Sequence, residues 1–281
     1  MLPDLTDAIE RHSTGFGSHT AVPRQTLVAL DEPIVPADLV YEPMICFIAG
    51  GAKRSFAGER TWLVETGDMF VNTVAMPVTA VFERLPYRSV VLHLGGPHLT
   101  ALLQEVDEPV LADTQMTAPM TPGIIDALTR WVGLLDTPRD IKVLAGRIEE
   151  EILYRLLTGP LGPLVRQWSR ADTAAARIRS AAAWIVANYA TPLSIDALAT
   201  LAHMSPATLH RHFKASTGMS PLQFQKQLRL QEARRLLLNG TATAAQAAVA
   251  VGYTSATQFN REYRRFYGLP PARDTARLLS I

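Results

Sequence analysis

Two stretches decide how this chain is read: LATLAHMSPATLHRHFKASTGMSP at 198–221 and AVAVGYTSATQFNREYRRFYGLPP at 248–271. Aligned without gaps at an offset of 50 residues, they bring Ser205 onto Ser255, Arg211 onto Arg261, Gly218 onto Gly268 and Pro221 onto Pro271. Leu209/Phe259, Phe213/Tyr263 and Lys214/Arg264 are conservative pairs in the same alignment. Internal repetition with matching punctuation marks two copies of one supersecondary unit.

Each copy has the grammar of a helix-turn-helix. The first helix is small and apolar, with Leu198, Ala199, Leu201 and Ala202 in one copy and Ala248, Val249, Val251 and Gly252 in the other. Small residues let a second helix cross closely. Ser194 is placed to cap helix one of the first copy, with Leu193 and Leu198 as its hydrophobic staple. Ser205 caps the next helix and Pro206 takes its first position, where a missing N–H costs nothing. Leu209 and Phe213, four apart, face the core, as do Phe259 and Tyr263. Ala207, His210, Arg211 and Lys214 then fall on the outer face of one helix. Ala256, Thr257, Asn260, Arg261, Arg264 and Arg265 fall on that of the other. These side-chain types suit DNA: Arg bonds guanine, Asn bonds adenine, and Lys and further Arg neutralise phosphate. PLQFQKQLRLQEARRLLLN at 221–239 reads as one helix joining the copies, closed by Gly240. Held rigidly, two such units enter successive major grooves about 34 Å apart.

The whole chain of 281 residues carries 27 Lys plus Arg and 26 Asp plus Glu, a net charge of +1 that argues against a polyanion partner. Resolved by region the picture changes. Residues 1–160 hold 12 basic and 21 acidic side chains, net −9, and residues 161–281 hold 15 and 5, net +10. Such asymmetry places the polyanion contact in the second half. Cys46 is the only cysteine, which excludes a disulfide framework and a Cys-rich zinc site. No apolar run reaches the length of a membrane span. The acidic start MLPDLTDAIE lacks the features of a signal peptide, so a cytoplasmic protein is expected.

The first half reads as β. RQTLVAL (24–30), PMICFIAG (43–50), KRSFAG (53–58), RTWLVE (60–65), DMFVN (68–72), VTAVFE (78–83) and RSVVLHL (88–94) are short and rich in β-branched and aromatic residues. Gly50-Gly51, Gly58-Glu59, Gly67-Asp68 and Leu85-Pro86 are the expected turns between them. Helical spacing follows over 98–105, 122–135 and 140–158, the last with a stripe of Ile141, Leu144, Ile148, Ile152 and Leu156. GPLGP (159–163) reads as a breaker, giving a domain at 1–160, a linker at 161–171 and an all-helical domain at 172–281.

The repeat resembles the AraC-type transcriptional regulators. AQAAVAVGYTSATQFNREYRRFYGLPP (245–271) is similar to the family's signature around its second unit. The resemblance implies a two-unit DNA-binding domain, with Ala207, His210 and Arg211 on the first base-reading face and Ala256, Thr257, Asn260 and Arg261 on the second. The two alanines can offer only apolar contact. The GDMFVN turn and the PYRSVVLHL strand are similar to the sensor domains of one branch of the family. They imply a cupin-like β-barrel followed by dimerisation helices, in an α+β two-domain chain. The implied protein is a bacterial regulator acting on promoter or operator DNA. It responds to a small-molecule effector, with RNA polymerase as a partner if it activates and a second copy as a possible dimer partner. Tyr41, Cys46, Trp62, Phe82 and His93 are the candidate effector contacts, each with core packing as the plain alternative. The competing reading is an enzyme: a cupin metalloenzyme or a repair methyl transferase using Cys46. The β region lacks the His-x-His pair of cupin metal sites, and residues two apart, such as His210 and His212, diverge on a helix. No metal, cofactor or catalytic residue is expected.

Overall fold

The computed structural model describes residues 1–95, 97–105, 116–170 and 173–280. The described residues form the strands β1 (Ser18–His19), β2 (Gln25–Leu30), β3 (Ala37–Tyr41), β4 (Met44–Ala57), β5 (Arg60–Glu65), β6 (Asp68–Asn72), β7 (Met76–His93) and β8 (Thr117–Pro119). All pairings are antiparallel, in the order β1-β2-β7-β4-β6-β8, with β3 added to β7 and β5 to β4. β4 and β7 pair along both of their halves and so belong to two walls at once.

Two expected turns are corrected here. Gly50-Gly51 and Leu85-Pro86 do not separate strands; they face each other inside β4 and β7, so four expected strands are two. Register shifts between Ile48 and Lys53 mark bulges, which bend a strand while its ladder continues. Gly51 has φ +79°, and a Cβ there would lie 2.5 Å from the Arg84 carbonyl oxygen, so only glycine fits the bend. The bend brings Lys53 Nζ to 3.9 Å from Cys46 Sγ on the same strand. The sheet thus curves as the barrel reading requires, and among the described residues its hydrogen-bonded path runs from β1 to β8 without a pair that joins these two.

PMICFIAG is apolar on both faces because both are covered. Ile45, Phe47 and Ala49 join a core with α1 (Leu2–His12), α3 (Pro122–Gly133) and α4 (Pro138–Leu157). Met44, Cys46 and Ile48 point into the concave side. A further helix, α2 (Pro97–Glu105), packs against α4. In α4 the expected stripe is buried at Ile148, Ile152 and Leu156, whereas Leu144 faces out beside Val143.

The expected linker is also corrected. Residues 161–169 carry α5 (Gly162–Ser169), and Leu161 and Val165 are fully buried in the first core. Pro163 stands in the first turn of α5, where proline is tolerated. Residues 171 and 172, at the expected boundary, lie outside the described residues. The second half then comprises α6 (Ala174–Ala187), α7 (Ile195–Leu201), α8 (Pro206–Thr217), α9 (Pro221–Leu238), α10 (Ala244–Ala250), α11 (Ala256–Tyr267) and α12 (Pro271–Leu279).

Candidate nucleic-acid interface

The two recognition helices, α8 and α11, start and stop by the same local chemistry. Ser205 Oγ accepts from the Thr208 N–H and Ser255 Oγ from the Gln258 N–H. Each helix ends on a left-handed glycine, Gly218 (φ +76°) or Gly268 (φ +81°). Leu209 and Phe213 are buried under α8; Phe259 and Tyr263 are buried under α11. The two cores share α9. Phe224 and Leu228 on its first half pack in the core that holds Phe213, with the Phe213 and Phe224 rings edge to face at 5.2 Å. Leu230, Ala233 and Leu237 on its second half pack in the core of Phe259 and Tyr263.

The gapless repeat needs one correction. The recognition helices do correspond at an offset of 50, but the first helices correspond at 49. Met204 N–H bonds the Ala199 carbonyl as Tyr253 N–H bonds that of Ala248, and buried Leu198 and Ala199 match Ala247 and Ala248. The second turn is one residue longer. Gly252 therefore matches His203, and both have positive φ.

With the apolar faces inward, the rest of each helix meets solvent. Ala207, Arg211 and Lys214 are exposed on α8, and His210 is half-buried. On α11, Ala256, Thr257, Asn260, Arg261, Arg264 and Arg265 are all exposed. The one acid of α11, Glu262, is engaged by Lys226 at 3.2 Å and by the Tyr253 hydroxyl at 2.9 Å. Among the described residues, Arg211, Arg261, Arg264 and Arg265 make no ion pair and remain available to an outside anion.

Of the five candidate effector contacts, four gather on the concave side of the sheet. Tyr41 and Cys46 are buried, and Trp62 and Phe82 are packed against the same core. His93 stands apart near the end of β7, where Thr26 Oγ1 lies 2.9 Å from His93 Nε2 and 3.0 Å from His19 Nδ1. Burial first, and then His19, hold the His93 pKa below the ordinary histidine value. Sequence reading missed Lys53. It is 7% exposed, has no carboxylate partner among the described residues and lies over the Tyr41 ring at 5.1 Å and the Tyr87 ring at 5.8 Å. Its sole signal in the sequence is the alternation Lys53, Ser55, Ala57 along β4, which places it on the inner face. Among the described residues no cluster of three or more His, Cys, Asp or Glu is arranged to hold a metal.

A family profile described as the N-terminus of AraC-type transcriptional regulators matches residues 21–164, half of the chain, and a helix-turn-helix domain profile matches 198–277. The chain belongs to the AraC-type transcriptional regulators. The transcriptional activator RhaS of Escherichia coli O1:K1 is 31% identical to it over 149 residues. That match covers 53% of each protein, so the chain spans about half the length of the curated relatives it matches. An apo ToxT variant from Vibrio cholerae superposes with a TM-score of 0.57 at 10% identity, covering 93% of this chain and 99% of the other. This likeness is one of fold.

In this AraC-type regulator the N-terminal half touches both helix-turn-helix units, through residues that sequence reading also missed. At the β4–β5 turn Glu59 pairs with Lys214 at 3.1 Å, and Arg60 donates to the carbonyl oxygens of Ser216, at 2.9 Å, and Ala215, near the end of α8. On β3, Asp38 accepts from Arg234 of α9 at 3.1 Å and from the Tyr267 hydroxyl of α11 at 2.8 Å. Lys214 is thus exposed yet held by Glu59 of the N-terminal half.

Proposed function

We propose that the chain is a sequence-specific DNA-binding regulator of transcription whose N-terminal sheet domain senses a small molecule. The observation that carries this is the pair of solvent-facing helices, α8 and α11, with unpaired arginines, joined by one helix that packs into both cores. Arg211, Asn260 and Arg261 are the base readers in this reading. His210 and Thr257 contribute hydrogen bonds, Ala207 and Ala256 apolar contact, and Lys214, Arg264 and Arg265 phosphate contact. Residues up to the end of α5 form the sensor part and those from α6 onward the reader. Effector contact falls to the concave side of the sheet, around Tyr41, Cys46, Trp62 and Phe82, with His93 outlying.

The role is non-catalytic and the location cytoplasmic. Support for the location comes from the regulator family and from the described helices, none of which is long and apolar enough to cross a membrane. Exposed Val143 and Leu144 on α4 support pairing of two copies there. RNA polymerase becomes a partner if the chain activates.

Footprinting of the full chain on its own promoter region tests the DNA reading. Arg261→Ala is expected to cost about 1–3 kcal/mol at the cognate site and little on unrelated DNA. An equal loss on every sequence makes Arg261 a phosphate contact instead. Binding that stays sequence-blind and insensitive to salt overturns the regulator reading.

A further inference from the structure

The turn between β4 and β5 stands against the end of the first recognition helix. Gly58 (φ +58°) and Gly218 (φ +76°) lie back to back. A Cβ on Gly58 would fall 2.7 Å from the Gly218 carbonyl oxygen, and one on Gly218 would fall 2.9 Å from that of Ala57. Arg60 donates to the carbonyl oxygens of Ser216, at 2.9 Å, and Ala215. A cation at the C-terminal end of a helix is favourable by itself, because the last carbonyls lack partners within the helix. Close glycine packing and Arg60 therefore seat the turn without any contribution from Glu59.

The Glu59 carboxylate lies 3.1 Å from Lys214 Nζ, on the outer face of α8 one turn after Arg211, and both side chains are exposed. Glu59 also shares the wall of a groove of about 550 Å³ with Lys226 of α9 and with Arg261 and Arg265 of α11. Glu262 lines the same groove but is engaged by Lys226. Glu59 thus stands between the outer faces of the two recognition helices. When two such helices occupy successive major grooves, the phosphates of the intervening minor groove face the surface between them. A carboxylate on that surface competes with phosphate for the same ammonium and repels the duplex. An exposed pair of this kind adds little to folding stability, so its consequence falls on DNA binding and not on the fold.

Resting on the regulator reading above, we propose that Glu59 is an autoinhibitory residue: its carboxylate holds Lys214 in the place of a DNA phosphate. The N-terminal half thereby lowers the affinity of the chain for DNA of any sequence, while the base readers Arg211 and Arg261 stay unpaired among the described residues.

The test is fluorescence-anisotropy titration of two labelled duplexes with the full chain, one carrying its own promoter region and one of unrelated sequence. Glu59→Gln is expected to tighten binding to both by about two- to fivefold, and Glu59→Lys by more. The slope of log affinity against log salt, between about 50 and 200 mM, is expected to steepen by up to about one, as one more phosphate is neutralised. Lys214→Ala is expected to weaken binding, and Glu59→Gln added to it is expected to gain nothing. The melting curve of Glu59→Gln is expected to match that of wild type. If Glu59→Gln binds both duplexes like wild type, or more weakly, the proposal is overturned. An equal gain in the Lys214→Ala background overturns it too, because Glu59 then acts on the duplex directly and not through Lys214. In each of those cases wild type still binds its promoter, and the regulator reading stands. Failure of wild type to bind either duplex removes that reading and this one with it.

Discussion

Replacing Asp274 with alanine is expected to destabilise the chain by about 3–5 kcal/mol. Asp274, on α12, is fully buried and accepts from Arg234 Nε at 2.9 Å, the Tyr263 hydroxyl at 2.9 Å and Arg277 at 3.1 Å. Arg234 is itself 7% exposed and bridges Asp274 to Asp38. Burial, then the charge of Asp274, pushes the Tyr263 hydroxyl pKa far up, so it stays a proton donor. Alanine at 274 leaves a buried guanidinium with one partner fewer and a buried phenol with none. Breaking one side of such a pair costs more than the pair contributes, because the other charge stays desolvated. Urea unfolding monitored by circular dichroism measures the loss, and Asp274→Asn, which keeps an acceptor, should recover part of it. A loss below about 1 kcal/mol would show that water replaces Asp274 freely, and the network would then not hold the second unit.

The second large effect is expected at Gly252, in the longer of the two turns. Its φ is +85°, and a Cβ there would stand 1.9 Å from the Ala190 carbonyl oxygen. Positive φ alone is a modest obstacle, since His203 holds φ +49° at the equivalent place in the first unit. The difference is what lies opposite. Arg229 ties this turn to the loop after α6, donating to the carbonyls of Gly252 at 3.0 Å, Tyr189 at 2.7 Å and Thr191 at 2.9 Å. Gly252→Ala must push that loop away and pull the arginine off its acceptors. A cost of about 2–5 kcal/mol is expected, combining backbone strain with overpacking. His203→Ala is expected to change stability by less than about 1 kcal/mol. Thermal melts of the two variants compare them directly, and equal small losses would mean that the loop yields easily. Cognate DNA binding should fall with Gly252→Ala, because α11 is seated by this turn.

Much of the reading unit was legible because its signals are local. A serine before a proline caps a helix whatever surrounds it, and the glycines at 218 and 268 end helices because the left-handed conformation excludes most side chains. Residues four apart share a helix face, so burial of Leu209 and Phe213 turns Arg211 outward without reference to the rest of the molecule. The errors arose where local signals are ambiguous. A glycine pair is chemically the same in a turn and in a bulge, and the partner strand decides which forms. Proline breaks a helix in its middle but opens one in its first turn, so 161–169 read as linker and folded as α5. One added residue in the second turn was invisible to an alignment led by the recognition helices.

The sequence by itself determined that this protein carries two capped, basic recognition helices on one connecting helix behind an acidic, β-rich half. Those properties follow from periodicity, capping and charge, which act over a few residues. The tertiary structure alone decided that Lys53 meets Cys46, that Asp38 reaches Arg234 and Tyr267, and that Arg60 meets the end of α8. Each depends on a strand bend or a domain contact joining residues that are remote along the chain or, on a straight strand, far apart in space. No local propensity encodes such meetings; they exist only once both walls of the sheet and the helices against them have closed.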